Sequence, residues 1–248
     1  MNIPALEIAG VTDVGATRDH NEDCIAWRGE LGVVVLADGM GGHNAGEVAS
    51  DIAVKSIIAD FEQNVSQRSQ GSDQAVAVSM NAINRANEAI LHAAQQDSVY
   101  AGMGTTIVTA VFQDGMVTIS HVGDSRLYRF RDNALQQQTV DHSLVQEMVQ
   151  NGYLTAEEAS LSANKNMITR ALGIDRDVEI DVQQHHIKQG DIYLICSDGL
   201  SDLVPQVELQ SLLNQGQENL PQMGKELIAV ANRNGGLDNI SVVLVRVI

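Results

Sequence analysis

Asp38, Asp124, Asp198 and Asp238 share one context: each lies at the margin of an apolar run, beside a glycine or an amide. LADGMGG (36–42) and CSDGLSD (196–202) both carry an apolar run into Asp-Gly, HVGDSR (121–126) puts Asp124 just after a run, and GGLDNIS (235–241) puts Asp238 just before one. Taken singly, Asp-Gly is a turn signal, because Gly accepts positive φ and Asp bonds its own backbone. Four such sites carry a different expectation. If the strand ends converge, like charges cluster, at a cost that protons or cations must relieve. Carboxylate, carbonyl and water ligands suit Mg²⁺ or Mn²⁺, whereas zinc prefers Cys and His. The carbonyl of Gly39, with no side chain to obstruct it, is a further candidate ligand. A carboxylate shared by two cations makes a two-metal site of the kind that activates water for in-line attack at phosphorus.

Other residues near these aspartates fit the same chemistry. Glu22 and Asp23, in RDHNEDC, add two carboxylates before a short strand. Arg18 can grip a phosphate bidentately, or it can be a surface arginine paired with Asp19 or Glu22. His43 has a near-neutral unperturbed pKa and can protonate a leaving group, or it can be a helix-start residue held by local hydrogen bonds. His142 lies near a helix start that Asp141 or Ser143 can cap. Adjacent His185 and His186 sit near a strand, which does not aim both rings at one metal, and they receive no role.

The elements that must position these groups follow from periodicity. Helical stripes run from about Ala45 to Phe61 and from about Asp73 to Gln95, with Ser72 or Asp73 as cap. Between them, QNVSQRSQGSD (63–73) reads as a loop. Strands are expected at 32–38, 105–112, 116–124, 125–130, 192–198 and 240–248, with a hairpin turn at Gln-Asp-Gly. Two helices are expected within 143–160 and another pair within 206–233. Hairpins argue for mainly antiparallel sheets with helices layered on their faces.

Charge and composition narrow the field. The chain has 248 residues and a formal net charge of -17, which disfavours a basic nucleic-acid surface. Its two cysteines, Cys24 and Cys196, match no zinc or redox spacing and read as small core residues. MNIPALEIAG lacks the basic start and apolar stretch of a signal peptide, and no run is long enough for a bilayer. A soluble, cytoplasmic monomer without a membrane or nucleic-acid partner is expected.

The motifs, in order, are VGATRDHNEDC (14–24), VLADGMGGHNAGEVAS (35–50), GMGTTIVTAVF (102–112), HVGDSRLYRF (121–130), DHSLVQEMV (141–149), NGYLTAEEA…ITRALG (151–173), LICSDGLSD (194–202) and LDNISVVLV (237–245). In this set and order the sequence resembles the metal-dependent serine/threonine protein phosphatases of the PP2C (PPM) class, in their compact bacterial form. The resemblance implies an α+β fold of four layers, with two central antiparallel sheets flanked by helix pairs. It implies that residues 1–248 form one catalytic domain with a flap at about 150–170. By matched position, Asp38 bridges two metals, Gly39 lends its carbonyl, and Asp198 and Asp238 hold the second metal. Asp124 with Asp198 holds a third, weaker one. Arg18 clamps the phosphate, and Glu22 and Asp23 support the metals. The implied reaction is direct attack of a metal-bound hydroxide on phosphoserine or phosphothreonine, with Mn²⁺ or Mg²⁺ as cofactor. A serine/threonine kinase of the same bacterial cell is the implied counterpart. One departure stands out: SLSANKN (160–166) lacks the proline of many flaps and has Lys165 near their arginine position. Two other functions compete with this one: a non-catalytic scaffold that keeps the fold, and a two-metal hydrolase of another phosphoester.

Overall fold

A computed structural model describes residues 2–42, 45–65 and 72–248. The chain opens with β1 (Leu6–Asp13), β2 (Asp23–Arg28) and β3 (Val33–Met40), followed by helices α1 (Ala45–Gln63) and α2 (Ser72–Gln96). Next come β4 (Gly104–Thr105), β5 (Ile107–Gln113), β6 (Met116–Val122), β7 (Arg126–Arg131) and β8 (Ala134–Gln137). Two short helices, α3 (Leu144–Gln150) and α4 (Ala156–Ser160), precede β9 (Asp181–His186) and β10 (Ile192–Cys196). The last elements are α5 (Asp198–Ser201), α6 (Gln206–Gly216), α7 (Leu220–Arg233) and β11 (Ile240–Val247).

Strands β1-β11-β10-β7-β8 form one sheet and β2-β3-β5-β6-β9 the other, with β4 added against β3. All these pairings are antiparallel. Three apolar clusters show how the layers stack. Val33, Val35 and Ala37 of β3 pack with Ile57 and Phe61 of α1 and Ile83 of α2. Their neighbours Val34 and Leu36 face the opposite way, onto Tyr193, Ile195 and Val243 of the other sheet. That sheet's far face, with Leu194 and Leu244, packs on Leu209 of α6 and Leu227 of α7. Successive strand residues point to opposite faces, so a sheet covered on both sides needs an unbroken apolar run, which is what VVVLA supplies. Fully burying one such side chain contributes about 2 kcal/mol. The result is the four-layer arrangement that the resemblance implies.

Several boundaries differ from expectation. The strand expected at 32–38 runs on through Met40, because Gly39 and Met40 pair with β4. The strand expected at 192–198 stops at Cys196, and Asp198 instead opens a helix. Strands β1 and β8 had no expectation. The Gln-Asp-Gly hairpin is borne out: Asp114 and Gly115 have φ of 51° and 77°, the two left-handed positions of a type I′ turn. Helix α2 already includes Ser72, and most of the 63–73 loop lies outside the described residues.

Candidate metal centre

Asp38 is held by its own backbone. Its carbonyl accepts from Thr106 N at 2.8 Å and from Thr105 Oγ1 at 2.8 Å, while its N–H donates to Thr106 Oγ1 at 3.1 Å. The GTT segment therefore fixes the main chain and leaves the carboxylate to point elsewhere. The β2–β3 register sets Asp23 directly opposite Asp38. Gly39 has a packing reason as well. A Cβ there would lie 2.1 Å from the Gly46 carbonyl oxygen, so glycine is needed for α1 to dock on β3.

The other three aspartates arrive from separate elements. Asp124 follows β6, after Gly123 with φ of 104°. Asp198 begins α5 at the end of β10, and Asp238 stands just before β11, which pairs with β10. Arg18, Glu22, Asp38, Gly39, Asp198 and Asp238 line one cavity of about 320 Å³. An adjoining cavity of about 290 Å³ is lined by Asp124, Asp198, Asp202 and Lys165. Asp198 faces both.

The electrostatics are those of crowded, dry carboxylates. Burial, then Asp23 and Asp198, pushes Asp38 well above the usual carboxylate range. Burial, then Asp124 and Asp202, does the same to Asp198. Asp124 is pushed up to about 7, by burial first and Asp141 next. Asp23 rises to about 6 through burial, although hydrogen bonds from Ser241 and Ser197 oppose the shift. Glu22 is raised by burial, against the pull of Arg18. The buried Oδ1 atoms of Asp124 and Asp23 have no hydrogen-bond partner. Converging acids that resist ionisation, with bare buried oxygens, are a donor set suited to hard divalent cations.

Asp202 was missed in the sequence. It raises both Asp124 and Asp198, and its signal was present: it is the second aspartate of CSDGLSD, one helical turn after the first. Arg18 takes neither of its expected surface partners. Its Nη2 donates to Asp238 Oδ2 at 2.7 Å, and about half of its side chain stays exposed. His43 lies outside the described residues. Ser143 caps α3, accepting from Gln146 N, while Asp141 pairs with Arg126 at 2.6 Å.

His121, His142 and Asp181 form a separate group with ligand atoms within 4.8 Å of one another. The two imidazoles stack, with centroids 4.7 Å apart and planes 20° from parallel. Stacked rings aim their in-plane lone pairs side by side, which does not suit a common ion. His142 Nδ1 already accepts from Gly123 N at 3.1 Å, so this ring props the turn that leads into Asp124.

The family model for protein phosphatase 2C matches residues 16–241. The chain belongs to the protein phosphatase 2C family. It is 37% identical to the serine/threonine phosphatase stp of Listeria welshimeri, over 94% of this chain and 93% of that protein. The solved structure of the serine/threonine phosphatase Stp1 from Staphylococcus aureus superposes with a TM-score of 0.92 at 35% identity, covering 100% of this chain and 98% of that one. The catalytic domain of the serine/threonine phosphatase PstP, in complex with two manganese ions, superposes at 0.87 with 34% identity and 98% of each chain covered. Protein phosphatase 2C members use Mn²⁺ or Mg²⁺, and no described helix of this member is long and apolar enough to cross a membrane.

In this protein phosphatase 2C, Lys165 and Asn166 line the Asp124 cavity, and Asn166 and Ile168 line the Asp38 cavity. Thr155 and Glu158 close a capping box at α4, and Leu144 N donates to Met167 O at 2.9 Å. Lys165, the departure noted in the sequence, donates to Asp202 Oδ2 at 2.7 Å. Both partners are partly exposed, so the pair contributes under about 1 kcal/mol, a contact fit to open. Lys165→Ala should speed limited proteolysis within 151–170 severalfold while the melting temperature stays within about 1 °C. Unchanged cleavage would mean that the pair does not hold the segment.

Proposed function

We propose that this chain is a divalent-cation-dependent protein serine/threonine phosphatase that hydrolyses phosphoserine and phosphothreonine directly, without a phosphoenzyme. The observation that carries the reading is the convergence of Asp38, Asp198, Asp238 and Asp124 on adjoining cavities with Arg18 at the rim. In this reading Asp38, the Gly39 carbonyl, Asp198 and Asp238 would hold two cations, with Asp38 common to both. Asp124 and Asp198 would hold a third, and Glu22 and Asp23 would support the set. The bound cations would lower the pKa of water and screen the charge of the phosphate. Arg18 binds phosphate oxygens with the guanidinium face that Asp238 leaves free. His43 is the proton donor to the departing serine or threonine oxygen.

Cysteine chemistry does not compete. Burial pushes the Cys24 thiol up to about 11 and the Cys196 thiol up to about 12, so neither is a thiolate nucleophile near neutral pH. Residues 1–248 act as one catalytic domain with a flap at about 150–170. We place this monomer in the cytoplasm, opposite a serine/threonine kinase of the same cell.

Phosphate release from a phosphothreonine peptide, measured with Mn²⁺ beside an aryl phosphodiester, tests the activity. The peptide should turn over and the diester should not; a preference for the diester would overturn the proposal. Arg18→Ala should raise KM about tenfold or more with a smaller fall in kcat, since one bidentate charge-assisted contact is worth about 2 kcal/mol.

A further inference from the structure

We infer that Asn239 is the positioning residue for the phosphate-binding side of the site, folding residues 14–22 across the Asp238 turn and so setting where Arg18 and Glu22 stand. The inference rests on the proposed function for its consequence, but its geometry is independent of it. A side-chain amide offers one acceptor oxygen and two N–H donors. Asn239 commits all of them to this one loop. Its Oδ1 accepts from Glu22 N at 2.8 Å, and its Nδ2 donates to Val14 O at 2.9 Å and to His20 O at 2.8 Å. The side chain thus ties both ends of the loop to a single planar group, and Arg18 lies between the tied points.

The fit is close on every side. Asn239 is only 5% exposed. The loop presses on the turn so tightly that a Cβ at Gly15 would lie 2.1 Å from the Asp238 carbonyl oxygen. A Cβ at Gly199, in the first turn of α5, would lie 2.0 Å from the Asn239 carbonyl oxygen. The Asn239 main-chain N–H meanwhile donates to Asp238 Oδ1 at 2.8 Å, and Arg18 takes Asp238 Oδ2. One residue therefore orients the carboxylate of Asp238 through its backbone and the loop bearing Arg18 through its side chain. Leucine or alanine here would leave Val14 O, His20 O and Glu22 N, part-buried in these three bonds, without the partner that ties them together. Aspartate keeps the shape but turns an acceptor toward two carbonyl oxygens and adds a charge to an acidic cluster.

Asn239→Ala and Asn239→Asp, each alone and with Arg18→Ala, form the test. Amide hydrogen exchange over 14–22 should rise about tenfold or more in both single variants while the sheets keep their protection. With Mn²⁺ present, KM for a phosphothreonine peptide should rise about tenfold and kcat should stay within about threefold. In the Arg18→Ala background the Asn239 changes should move KM less than about twofold, because their effect on binding passes through Arg18. Unchanged exchange over 14–22, or fully additive KM effects, would overturn the inference. The exchange measurement needs no turnover, so it reads the Asn239 hub even if the chain proves not to be a phosphatase.

Discussion

Asp38→Asn should abolish turnover and, in the metal-free protein, raise thermal stability. The two effects have one origin. Asp38 is driven well above the usual carboxylate range by burial and by Asp23, Asp198, Asp124 and Asp238. A group that resists ionisation in the empty fold favours folding less than a neutral isostere would. Asparagine keeps the shape and removes the charge, and the main-chain bonds to Thr105 and Thr106 do not depend on the side chain. A gain on the order of 1 kcal/mol, or a few degrees in melting temperature, is expected in chelator. Turnover should fall about a thousandfold or more, roughly 4 kcal/mol of transition-state stabilisation, because a neutral amide would not serve the bridging role proposed for Asp38. Kinetics on a phosphothreonine peptide and calorimetric melting in EDTA check the two halves. Near-normal turnover would refute the bridging role; a large loss of metal-free stability would refute the electrostatic account.

Removing divalent metal should make stability fall steeply with pH, and Mn²⁺ should reverse the trend. Burial and neighbouring charges push Asp124 up to about 7 and Asp23 up to about 6 in the fold, both above the carboxylate value of 3.8 that serves for the unfolded chain. Between these limits the folded state holds more protons than the unfolded one, so stability declines as pH rises. The contribution is complete below about pH 4 and is lost as pH passes through about 6 to 7. Burial and the neighbouring carboxylates raise Asp38 and Asp198 in the same direction, so both add to the loss. Bound cations replace the missing protons. At pH 8, Mn²⁺ at about a hundred times its dissociation constant should add about 3 kcal/mol per site, or roughly 5–10 °C. Melting curves at pH 5.5 and 8, with EDTA and with Mn²⁺, measure both slopes. A metal-free protein equally stable at the two pH values would remove the basis for a carboxylate-lined metal centre.

The legible parts of the fold were the local ones. Apolar runs such as VVVLA and IYLIC announced strands, and Asp-Gly at 114–115 announced its hairpin turn. Strand β1 escaped because LEIAGVTD is mixed in polarity and interrupted by glycine, so it becomes a strand only by pairing along its length with β11. The extension of β3 through Met40 likewise depended on Gly104 and Thr105 arriving beside it.

By itself the sequence determined which chemical groups stand at the ends of which elements: four aspartates, a glycine and an arginine, in an order that marks the family. Those features are short-range, set by alternation, by turn residues and by charge. Tertiary structure alone decided which ends meet. It gave Arg18 to Asp238 rather than to Asp19 or Glu22, and it joined Glu22 to Asn239 across 217 positions of chain. The reason is physical: hydrogen bonds and shared burial depend on distances that only sheet pairing and layer packing create, and no local pattern encodes them.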